Sequence, residues 1–268
     1  AWAIGLIVAY HTGSMTPASF RLALATTVLG ELAVTTLVAI NMSATAISRE
    51  REDGTLDLLL TTPLTASAYL NGKLRGLITY LLPLIMVPVF TIGVAGIYAW
   101  FGRVQGFETA TVTEQVGQQT AVFPVVLPES LLVSAVLSIA FIACCVMIGL
   151  NFSLRSKGTL ASVVAAVGVI GVVAGSLGLC GFLSAGSIDT VGPALAAFSP
   201  ASAVRAMVDP RNGFIGTVAE QADLTGARIS LAAGTIIAAG GYVLAVYAIH
   251  AHMVRNFDFT VRKLAGMR

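Results

Sequence analysis

Long apolar runs, each bordered by polar or charged residues, divide the chain at about residues 22–47, 75–101, 129–152, 159–183 and 229–252. A helix needs about 20 apolar residues to cross the hydrocarbon core, and a backbone in lipid must satisfy its N–H and C=O groups internally, so each run predicts a transmembrane helix. The opening Ala1-Trp-Ala-Ile-Gly-Leu-Ile-Val-Ala-Tyr10 is a further apolar run. It has neither a basic leader nor a small-residue cleavage site, so it reads as the tail of a truncated span and not as a signal peptide. The period-two alternation of a membrane β-barrel is missing from these runs. The expected fold is all-α: a polytopic integral membrane helical bundle of about six transmembrane helices, the first truncated, forming one domain over 1–268.

Composition agrees. The chain is 56% hydrophobic and 10% charged, with a mean hydropathy of +0.88, whereas soluble domains carry about 25% charged residues. A net charge of +2, without a basic tract interleaved with aromatics, gives no reason to expect nucleic acid. Cys144, Cys145 and Cys180 lie in apolar runs and read as small buried residues, not as a disulfide framework.

Lysine and arginine set the orientation. With the Ile47–Thr65 elbow inside, the inner segments hold Arg49, Arg51, Lys73, Arg75, Arg155, Lys157, Arg255, Arg262, Lys263 and Arg268. The outer ones hold Arg21, Arg103, Arg205, Arg211 and Arg228, a split of ten to five. The elbow and the C-terminus are therefore expected to be cytoplasmic. Of the long outer segments, Gly102–Pro128 reads as irregular or partly stranded. Residues 184–228 contain apolar stretches broken by proline, such as Val191–Pro200 and Ala201–Pro210. These read either as short helices that dip into the outer interface or re-enter the membrane, or as an ordinary external loop.

The one dense charge cluster is the elbow itself. Arg49-Glu-Arg-Glu-Asp53 extends the second span beyond the bilayer, and Gly54 breaks the helix. Thr55 can cap a new helix with Asp57 near its N-terminus, and Leu56, Leu59 and Leu60 give that helix one greasy face. Thr62 and Pro63 stop it, and Thr65 can cap the helix that becomes the third span. Such an amphipathic turn could simply lie on lipid headgroups.

The pattern Ile47-Ser-x-Glu-x-Glu-x-Gly-Thr-Leu-Asp-x-Leu-Leu-x-Thr-Pro-Leu64, followed by Gly72-Lys73, resembles the loop between the second and third spans of type-2 ABC transporter permeases, the membrane subunits of ATP-binding-cassette exporters. The arrangement of spans extends the resemblance over the whole chain. It implies that residues 48–73 form a cytoplasmic coupling elbow gripped by a separate ATPase (nucleotide-binding) subunit, with Glu50, Arg51, Glu52, Gly54, Thr55, Leu56, Leu59 and Pro63 at the contact. It also implies a second permease copy or a sister permease, a bacterial-type inner membrane, and a re-entrant outer segment at 184–228. No Gly-x-x-x-x-Gly-Lys-Ser/Thr loop occurs in the sequence, so no cofactor is expected in this chain, and ATP and Mg would belong to the partner subunit. The expected function is that of an exporter permease without its own ATPase site. The alternatives are an ABC-like subunit passing force to outer partners without moving a solute, and a membrane-embedded enzyme or scaffold.

Other residues add detail. Glu31 falls mid-span, where a carboxylate is costly, so it either lines the translocation path or a dimer contact or serves as a protonated structural group. Pro83 and Pro88 permit kinks whose freed carbonyls neighbouring helices can satisfy. Gly171-x-x-x-Gly175 allows close helix approach. His250 and His252 point to different helix faces, and no metal site is expected of them. The tail from Val254 to Gly266 alternates apolar and basic residues and is expected to rest on anionic membrane lipids.

Overall fold

A computed structural model describes residues 2–55, 65–116, 119–156, 158–185, 188, 191–210 and 224–264. In chain order the elements are α1 (Trp2–His11), α2 (Pro17–Thr45), α3 (Ser48–Glu52), α4 (Ala66–Gln105), a 3-10 turn (Glu108–Ala110), β1 (Thr111–Val116), β2 (Gln119–Pro124), α5 (Ser130–Arg155), α6 (Thr159–Ala185), α7 (Gly192–Ala196), α8 (Pro200–Val208) and α9 (Thr225–Leu264). Among the described residues, five helices are long and apolar enough to cross a membrane: α2 with its extension through α3, α4, α5, α6 and α9. The short apolar α1 joins them, so the protein is a polytopic helical membrane bundle. Where six spans are expected, the first run is a helix of ten residues, below crossing length.

Element ends follow local chemistry. α4 starts at Ala66, well before the expected border near 75. Thr65 explains this, because its Oγ1 accepts the Ala68 N–H at 3.2 Å and so caps the helix as the sequence predicts. At 40 residues, α4 is about 60 Å long, twice the hydrocarbon thickness of about 30 Å, so its polar first turns need not enter the oil. Pro88 lacks the N–H that would pair with the carbonyl of Leu84, and the Thr35 hydroxyl of α2 donates to that carbonyl at 3.4 Å.

The chain divides into two compact units. The first comprises Ala1–Leu32, Met86–Ile139 and Ala174–Ala239. In it, Tyr10 of α1 stacks on Phe20 of α2 with ring centroids 4.6 Å apart. The expected partly stranded loop contains an antiparallel hairpin, β1–β2, registered from Thr111↔Pro124 to Val116↔Gln119. Beyond it the buried run Val125–Leu127 is held by two backbone bonds, Val125 N–H to the Ala110 carbonyl at 3.1 Å and Leu127 N–H to the Met207 carbonyl at 2.9 Å. Arg21, one of the basic residues assigned to the outer segments, is only 6% exposed. It donates to the Val125 carbonyl at 3.2 Å and the Pro124 carbonyl at 3.5 Å, and pairs with Asp209 at 3.5 Å. α7 and α8 start with proline in the first turn, where a missing N–H costs nothing. Gly234 of α9 leaves room for the Ala194 backbone of α7, which a Cβ would approach to 2.4 Å. Arg228 and Glu129 form a two-pronged pair at 2.7 and 2.8 Å.

The second unit comprises Ala33–Ile85, Ala140–Val173 and Gly240–Arg268. Here α5 lies close against α2, since a Cβ at Gly149 would fall 2.0 Å from Ser43 Oγ. Cys144 and Cys145 are buried in α5 as expected, whereas Cys180, on the part of α6 that belongs to the first unit, is exposed. The reason is that lipid as solvent imposes no penalty on an outward-facing small apolar residue.

Candidate functional site

The elbow opens with a break in the helix. α2 ends at Thr45, and the chain re-enters helical geometry at Ser48, which strips backbone donors of their intrahelical partners. Ser153 of α5 takes two of them: its Oγ accepts the Ile47 N–H and the Ser48 N–H, each at 2.9 Å. Ser162 of α6 donates to the Ala44 carbonyl at 2.7 Å, and the Ser48 hydroxyl reaches the same carbonyl at 3.1 Å. Ser43, Ser48, Ser153 and Ser162 are all fully buried. Serine suits this root because buried backbone groups need partners and a hydroxyl supplies them without a charge.

Beyond the root, α3 presents its charges in two directions. Glu50 accepts from the Lys73 ammonium and the Tyr69 hydroxyl, both in the first turns of α4. Lys73 also donates to the Ala46 carbonyl at 3.3 Å. Arg51 donates to the Leu154 carbonyl at 2.9 Å and to the Ser156 carbonyl, at the C-terminal end of α5. The Glu52 Oε1 accepts the N–H of Thr159, the first residue of α6, at 2.8 Å. Each sign meets the complementary helix end, with a cation at the carbonyl end of α5 and a carboxylate at the amide end of α6.

The residues that the resemblance assigns to a partner therefore divide. Glu50 and Arg51 are half-buried and engaged within the chain, whereas Glu52, Gly54 and Thr55 are exposed, Glu52 while holding α6. Gly54 adopts φ +71°, the left-handed region that glycine enters at least cost. The Thr55 hydroxyl donates back to the Glu50 carbonyl at 3.0 Å, and the residues it would cap lie outside the described ones. Leu56, Leu59 and Pro63, with the short helix expected around them, lie outside the described residues. Arg49 and Asp53 complete the exposed ridge.

A groove of about 530 Å³ opens beside the elbow, with Met42, Ala46 and Tyr80 among its apolar walls and Glu50, Lys73 and Tyr69 at its polar end. Tyr69 also meets Phe257 of α9, with ring centroids 5.7 Å apart. Nearby, Arg155 at the end of α5 lies against His252 Nε2, and Asn256 donates to the His252 carbonyl at 3.0 Å. Glu31 is not part of the elbow. It stands in α2 within the first unit and accepts from the Thr91 hydroxyl of α4 at 3.1 Å.

Sequence reasoning missed Ser153, Ser162, Thr159 and Tyr69. The one available signal was a scatter of serines in apolar runs near the charge cluster, and nothing local shows which carbonyls or amides they reach.

The bundle is that of a multi-pass helical membrane protein. The chain belongs to the ABC-2 family of transporter proteins: the family model described as "ABC-2 family transporter protein" matches residues 15–248. Partnership with an ABC ATPase subunit goes with that family in general. No curated protein and no solved structure matches the chain.

Proposed function

We propose that this chain is the membrane-spanning subunit of an ATP-driven exporter, whose elbow is gripped by a separate nucleotide-binding subunit that holds ATP and Mg. One observation carries the reading: the elbow is fastened on its inward side to α4, α5 and α6, the last through Glu52, and presents the ridge Arg49, Asp53, Gly54 and Thr55 outward. An element exposed on one side among the described residues and tied to three helices on the other is suited to receive a push. Leu56, Leu59 and Pro63 supply the desolvated anchor, and the ridge charges set the register. The elbow and C-terminus face the cytoplasm of a bacterial-type inner membrane. A second copy or a sister permease completes the pathway, and Glu31 lines that pathway or the contact between the halves.

The experiment is co-purification of the full chain with an ABC ATPase, before and after Leu56→Asp combined with Leu59→Asp. Both ATPase association and ATP-driven transport are expected to be lost in the double variant. If both persist unchanged, the elbow is not the docking element.

A further inference from the structure

We infer that Arg51 and Glu52 are positioning residues that fasten the elbow to the α5–α6 turn, so that a displacement of the elbow is passed to the ends of α5 and α6 as well as to α4. The inference rests on the function proposed above and departs from it in direction: these two side chains serve the interior of the chain and not the ATPase surface.

The geometry carries it in three steps. First, the guanidinium of Arg51 is half-buried and is committed to the carbonyls of Leu154 and Ser156. A guanidinium has its donors in a fixed fork, so one turned onto two backbone carbonyls is not presenting that edge to a partner carboxylate. Second, Glu52 Oε1 holds the Thr159 N–H at 2.8 Å, a donor that the first turn of α6 leaves without an intrahelical acceptor. Adjacent residues of α3 thus hold the end of one span and the start of the next. Third, α3 does not hang loosely from α2, because Ser153 of α5 binds the backbone at the break between them. With the root fixed to α5 and the tip tied to both α5 and α6, the elbow cannot move far without moving these helix ends or breaking the ties. Glu50, through Lys73 and Tyr69, makes the corresponding tie to α4.

A mere helix cap and a mechanical tie can be separated. Gly158 precedes α6, and among the described residues a Cβ there would meet only Glu52 Oε1, at 3.4 Å, an ordinary contact. Gly158→Asp can therefore give α6 an N-cap of its own without any bond to the elbow. The test uses the full chain with its ATPase in lipid vesicles, in a Cys180→Ser background. Nitroxide labels are placed singly at Leu160→Cys in α6 and at Tyr80→Cys in α4, both exposed in the structure. The readout is the change in label spectrum on adding ATP, magnesium and vanadate.

Both labels are expected to respond in the unsubstituted elbow. In Glu52→Ala, and separately in Arg51→Ala, the ATPase should stay bound, the residue 80 response should remain and the residue 160 response should be lost. It should stay lost in Glu52→Ala with Gly158→Asp, although that pair recovers thermal stability. The inference is overturned if the residue 160 response survives Glu52→Ala, if Gly158→Asp restores it, or if Glu52→Ala releases the ATPase. Failure of the unsubstituted chain to bind an ATPase at all would overturn the proposed function, and this inference with it.

Discussion

Arg21 and Arg51 apply the same chemistry to two different kinds of joint. Each guanidinium reaches backbone carbonyls about a hundred residues further along the chain, Pro124 and Val125 for Arg21 and Leu154 and Ser156 for Arg51. Arg21 is almost wholly buried and balanced by Asp209, so it closes the strand end beyond β2 against α2. Arg51 is half-buried on a five-residue helix that begins after a break. The difference teaches that a buried, charge-balanced arginine fixes a fold, whereas a part-exposed one on a short element ties two pieces without locking them.

The largest effect is expected from Arg21→Ala. It removes the pairing with Asp209 and the donor of two carbonyls, at a cost of about 3 kcal/mol, read as a lower unfolding temperature in detergent micelles. If Arg21→Ala proves no more damaging than Arg51→Ala, the contrast between closing and tying fails. Ser153→Ala comes next. Removing one acceptor from two buried N–H groups is expected to cost about 2 kcal/mol, accompanied by faster hydrogen exchange at Ile47 and Ser48. Unchanged exchange at those amides would mean that the root of the elbow is held by something else. The smallest change in stability is expected for Arg51→Ala, about 1 kcal/mol, because water can replace part of what a half-exposed donor supplies. A destabilisation as large as that of Arg21→Ala would move Arg51 into the class of fixed closures.

Much of the architecture was legible in the sequence. Apolar runs of crossing length can only be helices in lipid, so the five long spans followed directly, and so did the cap at Thr65. Pro88 was legible as well, because a missing N–H always frees the carbonyl four residues earlier, although the identity of Thr35 as the group that satisfies it was not. The partly stranded loop between α4 and α5 was readable from its Thr, Val and Gln content.

The site was legible only as a location. The break at Gly54 and the density of charge marked the elbow, but the partners of those charges lie as far as 107 residues away, beyond the reach of local pattern. The resemblance places Glu50, Arg51 and Glu52 at a partner contact, and their bonds to neighbouring helix ends were not legible, because a charged residue outside the membrane looks alike whether it faces water or a neighbouring helix end. The surroundings of Arg21 were not legible either: a count of basic residues records sign, not surroundings. Cys180 shows the converse, since apolar character does not imply burial when the solvent is lipid.

The serine root and the charged tip of α3 should answer differently to dissolved salt. Ions screen interactions between exposed charges over about 8 Å at physiological strength and over shorter distances as concentration rises, while neutral hydroxyl–amide bonds are largely indifferent to them. Raising potassium chloride therefore weakens the hold of the exposed Glu52 carboxylate on the first turn of α6, affects the half-buried Arg51 less, and leaves Ser153 on the Ile47 and Ser48 amides. An ionic-strength series would slacken the far end of this lever in graded steps while its pivot stays seated.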